Sequence, residues 1–215
     1  DIDGGTPAGP GFIPFSANSQ DDVPDLDQLT QEVRLASNND EGLTWQAGVF
    51  YFHEDLAIAS YNYDTPTGTV PSVTALQQQT SKAWGVFGSL TYPFSDQFSI
   101  TAGARYNNDK RRLDVGRGGF FGAIGNGLAR VKDDNLTWDL SATYEASDDI
   151  NLYARVAKGY RAPSIQGRAL FVFTTVQDAI STADSETILS FEGGVKANLG
   201  NRSRFNLSVF KYDLN

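Results

Sequence analysis

The residues of this sequence that could do chemistry are few. His53 and Glu54 stand side by side in "YFHED". Such a pair could form half of a metal site or trade a proton. His53 is the only histidine, and the chain has no cysteine. A metal site or a nucleophile–histidine–carboxylate triad built on it therefore lacks partners. The plainer reading is a solvated pair at a strand end. Lys110, Arg111, Arg112 and Arg117 crowd one stretch. They could meet an anionic ligand or lipid phosphates, or simply be solvated. Phe120, Phe121, Phe171 and Phe173 could stack on a ligand, or pack their own loops. The Gly-rich "GRGGFFGAIGNG" (116–127) lacks the Lys-Ser/Thr of a phosphate loop and the spacing of a dinucleotide fingerprint, so it reads as a loop tip. No catalytic, metal or cofactor-binding constellation emerges, and an enzyme is not expected.

Composition narrows the class. The chain has 215 residues, 40% hydrophobic and 12% aromatic, with 21 glycines. That length suits one domain, or two. Seventeen basic against 26 acidic residues leave a net charge of −9. This is the wrong sign for a nucleic-acid partner. The sequence holds no apolar run of about 18 residues, which excludes a transmembrane helix but not a barrel of strands. Asp1 opens the chain, methionine is absent, and no charged-then-apolar leader is present. A processed or partial piece of a longer protein is expected.

The elements that would position these residues are strands. Period-2 segments fall at about 28–37, 43–54, 82–92, 98–108, 135–146, 150–160, 187–199 and 203–213. Leu136, Trp138, Leu140, Ala142 and Tyr144 alternate with Thr137, Asp139, Ser141, Thr143 and Glu145. Stretch 174–186 could hold a short helix within a loop. Short turns ("SNNDEG", "PFSDQ", "ASDD", "GNR") alternate with long links at about 55–81, 109–134 and 161–186. Structureless loops of that length are uncommon in compact domains. Three of them at one end of a meander match a transmembrane β-barrel, whose turns are short on one side and long on the other.

Aromatic spacing points the same way. Trp84 and Tyr92 are eight residues apart, as are Phe98 and Tyr106. That is roughly 26 Å along a strand, or about 20 Å across a membrane at a tilt near 40°. Aromatic rings favour the two membrane interfaces. A turn centred near Ser95 would set Tyr92 opposite Phe98 and Trp84 opposite Tyr106. The other face, with Arg105, Asp139, Arg155 and Glu192, would then line a lumen. A soluble sandwich would invert the two faces.

Two segments in this order, "LYARVAKGYRAPSI" (152–165) and "ETILSFEGGVKANL" (186–199), resemble the mid-barrel of TonB-dependent outer-membrane receptors. "QEVRLAS" (31–37), "WQAGVFYFHED" (45–55) and "ITAGARY" (100–106) fit the same family. The resemblance implies a 22-strand barrel of which this chain holds about eight consecutive strands, over 28–213. Residues 1–27 would be the tail of an extracellular loop, and the plug domain would lie outside this chain. It implies import of a scarce ligand such as a ferric siderophore, cobalamin or an oligosaccharide. The implied partners are outer-membrane lipid and lipopolysaccharide, a small-molecule or glycan ligand, and the TonB complex through an N-terminal part not in this sequence. Loop residues Arg111, Arg112, Arg117, Phe120, Phe121, Phe171 and Phe173 would be the ligand-contacting candidates. Two alternatives remain: a complete eight-stranded outer-membrane barrel with a structural or adhesion role, and a soluble β-rich binding domain.

Overall fold

The computed structural model describes residues 18–38, 42–63, 70–119, 122–167, 170, 175–200 and 202–215. Six strands follow one another as hairpins: β1 (Asn18–Ala36), β2 (Thr44–Tyr63), β3 (Val73–Ser95), β4 (Phe98–Gly119), β5 (Gly122–Ser147) and β6 (Ile150–Arg161). Next come β7 (Ser164–Gly167), a single 3₁₀ turn (Gln177–Ala179) and β8 (Ile180–Ala183). β9 (Glu186–Leu199) and β10 (Ser203–Leu214) complete the chain. Eight strands form one antiparallel sheet in the order β1-β2-β3-β4-β5-β6-β9-β10, and β7 pairs with β8 apart from it. Among the described residues β1 pairs only with β2 and β10 only with β9. The up-and-down order is thus the expected one, and the sheet is an open arc. The closed eight-stranded barrel is not formed.

Register fixes the faces, because side chains alternate with period 2. Ile100 pairs with Tyr92 and Ala142, Ala102 with Leu90 and Leu140, and Ala104 with Gly88 and Trp138. These make an apolar face. Thr101 pairs with Thr91 and Ser141, and Gly103 with Ser89 and Asp139. These make a polar face. The apolar face is unusually bare: Leu140 is 49% exposed, Trp84 43% and Val209 71%. So continuous an exposed apolar surface needs a non-aqueous neighbour.

The β3–β4 turn differs from expectation. It is the two residues Asp96–Gln97, with a register shift between Pro93 and Ser95. Tyr92 therefore lies opposite Ile100, and Trp84 opposite Asn108. The slip is two residues, so every side chain keeps its face. Trp84 and Tyr106 become diagonal neighbours with ring centroids 5.6 Å apart. At the short-turn end Phe94 packs between Tyr92 and Phe98, at 4.7 and 5.8 Å.

Two of the three long links, 55–81 and 109–134, are mostly strand. β1 starts at Asn18, not at 28, so residues 18–27 are strand and not loop tail; residues 1–17 lie outside the described residues. β2 runs on to Tyr63, β3 begins at Val73, β4 reaches Gly119 and β5 starts at Gly122. Beyond the outer aromatic rows both faces carry polar residues, so alternation fades while backbone pairing continues.

The described parts of link 161–186 fold back onto the polar face of β4 and β5. Leu113 and Val115 of β4 are buried there against Val176, with Ile165, Ala179 and Ile180 packed around them. Glycine makes the approach possible. A Cβ on Gly127 would meet Ile180 Cδ1 at 2.6 Å, and one on Gly167 would meet Leu113 Cδ2 at 2.5 Å. The pairing of β5 with β6 stops at Trp138–Lys158, which bares the upper edge of β5. Gln177 covers part of it: its amide nitrogen donates to the Leu128 carbonyl (3.1 Å) and its amide oxygen accepts from the Leu128 N–H (2.9 Å). At Leu128 the edge is thus occupied and cannot accept a foreign strand. The short helix anticipated in 174–186 is this single 3₁₀ turn, at Gln177–Ala179.

The register makes a facing test direct. In the full-length protein folded into lipid, Leu140→Arg should cost about 2–4 kcal/mol in a denaturant titration. Ser141→Arg should cost far less. Equal costs would contradict the assignment of faces.

Candidate functional site

The polar face of the sheet gathers the ionic side chains that β1 to β10 carry between the aromatic rows. Arg105 projects from β4 into an aromatic bracket. Its Cζ lies 5.1 Å from the Phe50 ring centroid and 5.5 Å from that of Phe87. Its Nε donates to Asn107 Oδ1 at 2.6 Å. Arg34 lies over Phe87 as well, at 5.7 Å, and pairs with Glu32 at 2.6 Å. For Arg105 the cation–π contacts hold the guanidinium beside a neutral amide partner. The bracket depends on missing side chains. A Cβ on Gly48 would meet Phe87 Cζ at 2.5 Å, and one on Gly85 would meet Arg105 Nε at 3.0 Å.

A second cluster spans β5, β6 and β9. Arg155 lies opposite Ser141 on one side and Glu192 on the other. Its Nε reaches Asp139 Oδ2, diagonal to it, at 3.9 Å. The Tyr153 hydroxyl donates to Glu192 Oε1 at 2.6 Å. Lys196 places its ammonium 5.4 Å from the Tyr153 ring centroid. Between the clusters runs a groove of about 630 Å³, lined among others by Phe87, Arg105, Asn107, Asp139, Arg155 and Tyr160.

Arg105, Asp139, Arg155 and Glu192 thus share one face, two of them as a direct ion pair. The loop candidates do not stay together. Arg111, Arg112 and Arg117 all lie in β4. Arg111 and Arg117 take the parity of Arg105 and the polar face; Arg117 Nη2 donates to the Leu170 carbonyl at 3.2 Å. Arg112 takes the opposite face, where its guanidinium holds Asp114 with two bonds of 2.6 and 2.8 Å. Those bonds keep the Asp114 carboxyl below the usual carboxylate range. Adjacent residues on a strand point apart, which the sequence cluster conceals. Phe120, Phe121, Phe171 and Phe173 lie outside the described residues.

His53 and Glu54 separate for the same reason. His53 Nε2 meets Asp55 Oδ2 at 2.7 Å, while Glu54 is on the other face. Asp55 is held below the ordinary carboxylate value by the Thr80 hydroxyl and then by His53. Among the described residues no three His, Asp or Glu side chains converge to hold a metal. Sequence reading missed Tyr153 as a member of the second cluster. Its polar-face parity was the available signal.

Magnitudes separate the two contacts of that cluster. Arg155 and Asp139 are 52% and 37% exposed and barely within pairing distance. Double-mutant cycles should give about 0–1 kcal/mol for that pair. The short bond from Tyr153 to the Glu192 carboxylate should give about 1.5–3 kcal/mol. Equal couplings in a stability titration would contradict the geometry.

Comparison with known proteins agrees with this architecture. The family model described as TonB dependent receptor-like, beta-barrel, matches residues 3–215. The pesticin receptor of Yersinia pestis is 28% identical over 134 residues, covering 62% of this chain and 20% of that protein. The pesticin receptor of Yersinia enterocolitica serotype O:8 / biotype 1B is equally similar, at 28% over 134 residues. The crystal structure of the ferric yersiniabactin uptake receptor FyuA from Yersinia pestis shares the fold. It has a TM-score of 0.73 at 20% identity, covering 91% of this chain and 29% of that one. The chain spans about a fifth of the length of the curated relatives it matches. With the family model covering nearly every residue, the chain belongs to the TonB-dependent receptor β-barrel family, proteins of the Gram-negative outer membrane.

Proposed function

We propose that this chain is a stretch of barrel wall in an outer-membrane receptor that imports a scarce ligand with energy from the TonB complex. Ferric siderophores are the favoured class. The observation carrying this reading is the family match over residues 3–215, joined to an open eight-strand arc with one apolar face. The fold neighbour titled as a ferric yersiniabactin uptake receptor supports the siderophore class over cobalamin or an oligosaccharide.

In this reading the apolar face meets lipid and the polar face lines the lumen. The long hairpins then point outward from the cell and the short turns point to the periplasm. Arg105, Asp139, Arg155 and Glu192 act as wall scaffold, holding one another and groups inside the barrel. An unpaired charge in a packed lumen would be costly. Ligand contact falls to the outer part of β4, near Arg111 and Arg117; Phe120, Phe121, Phe171 and Phe173 stay ligand-contacting candidates on sequence grounds. Outer-leaflet lipopolysaccharide is the expected lipid neighbour.

Radio-iron uptake tests the reading. In cells whose only siderophore receptor is the full-length protein, accumulation of a ferric siderophore should stop when TonB is removed. Accumulation that persists without TonB would overturn the transport reading. TonB-dependent uptake of labelled cobalamin instead would replace the ligand class.

A further inference from the structure

Above the outer aromatic rows the apolar face of β3–β5 changes character. Trp84 lies opposite Tyr51 on β2 and Asn108 on β4. Two residues further along β3 stands Lys82, opposite Lys110 of β4, which is itself opposite Lys132 of β5. The next row is Thr80, Arg112 and Arg130. All five cations have the parity of Trp84, Ile100 and Leu140, and all five are exposed. Opposite residues have Cα atoms about 4.5–5.5 Å apart. Successive residues on one face are about 6.6–6.8 Å apart. Five positive charges thus share a patch about 10 Å wide and about 7 Å high.

This arrangement is costly by itself, because like charges directly opposite on a sheet destabilise it. Neighbouring acids relieve part of it, since Asp55 lies within electrostatic reach of Lys82 and Asp114 within reach of Arg130 as well as Arg112, but they are held elsewhere. Asp114 is taken by Arg112. Asp134, in the row of Trp84 and Asn108, accepts from the Tyr106 hydroxyl at 2.9 Å. Asp55 is engaged by Thr80 at 2.7 Å and by His53 at 2.7 Å. Among the described residues none of the three lysines is in an ion pair. In a chain of net charge −9, three cations in one row on one face invite an external anion.

Position selects the anion. Lys82 is two residues beyond Trp84, about 5 Å higher at a strand tilt near 40°. Lys110 is four residues beyond Tyr106, about 10 Å higher. Aromatic rings mark the lipid–water interface, so the patch sits at headgroup level. The short-turn end of the same face, at Phe94, Asp96 and Asp148, carries no cation on β3–β5. We infer that Lys82, Lys110 and Lys132, with Arg112 and Arg130 above them, form a docking site for the phosphate groups of outer-leaflet lipopolysaccharide. This rests on the barrel reading, in which the apolar face meets lipid. Trp84 and Tyr106 then lie beneath the phosphates, against the start of the acyl chains.

Native mass spectrometry of the purified full-length receptor in detergent tests the site. The probes are bisphosphorylated lipid A, its dephosphorylated form, and phosphatidylglycerol. Wild type should retain bisphosphorylated lipid A over both others. The triple variant Lys82→Gln/Lys110→Gln/Lys132→Gln should retain it about tenfold less, the sum of three modest exposed charge pairs. Lys211→Gln, on the same face of β10, should bind as wild type. Without lipid the triple variant should unfold at the same or a higher temperature, since it removes repulsion. Added bisphosphorylated lipid A should raise the unfolding temperature of wild type only. Equal retention by the triple variant would overturn the site, as would equal retention of the dephosphorylated lipid. Equal retention of phosphatidylglycerol would reassign it to any anionic headgroup and overturn lipopolysaccharide as the occupant. Those failures leave the barrel reading standing; a receptor that stays soluble without detergent would remove that reading instead.

Discussion

Inside a bilayer a backbone N–H or C=O has no water to bond, so each must find a partner in the protein. The unbroken ladder from β1 to β10 meets that demand across the arc. The outer edges of β1 and β10 lack a described neighbour. Neighbouring strands of a complete barrel would cover both. Strand edges left bare invite aggregation, so the arc is a part of a wall and not a self-sufficient sheet. Everything else follows from having two faces on one ladder.

The faces are stabilised differently. The apolar face packs little against itself, and its large side chains stand exposed at Leu140, Val209 and Trp84. Their stabilisation comes from meeting lipid in place of water. The polar face holds itself by bracketed arginines and carboxylate bonds, from Arg105 between Phe50 and Phe87 to Tyr153 on Glu192. Beyond the membrane neither rule applies. There β4 and β5 continue as a ribbon, and the only compact apolar cluster among the described residues forms where link 161–186 folds onto Leu113 and Val115. The outer ribbon is where chain segments from distant positions converge.

The strand centres were legible in the sequence because one face meets lipid and the other meets polar groups, which writes alternation into Leu136–Glu145. Strand ends at the short turns were also legible, since turn residues mark them; Phe98, Ile150, Leu199 and Ser203 all bound strands as expected. The outer extensions were not. Neither 55–63 nor 109–119 separates an apolar from a polar face by alternation, so both look like loop, although they pair as strand. The candidate site suffered from the same blindness to period 2. Arg111 beside Arg112, and His53 beside Glu54, read as clusters along the chain and stand on opposite faces of the sheet. Fold-back of 161–186 left a faint signal, Gly125, Gly127 and Gly167, whose need appears only once Val176, Ile180 and Leu113 press against them.

Side-chain accessibility along Trp138–Tyr144 reads the central claim most directly. This stretch carries no cysteine, so single cysteines can be placed in turn at 138–144 of the full-length receptor in vesicles. Each is probed with a lipid-confined quencher and with a charged aqueous thiol reagent. Positions 138, 140 and 142 should respond to the lipid probe, and 139, 141 and 143 only to the aqueous one. A uniform response along the stretch, or one with the two sets exchanged, would contradict the account.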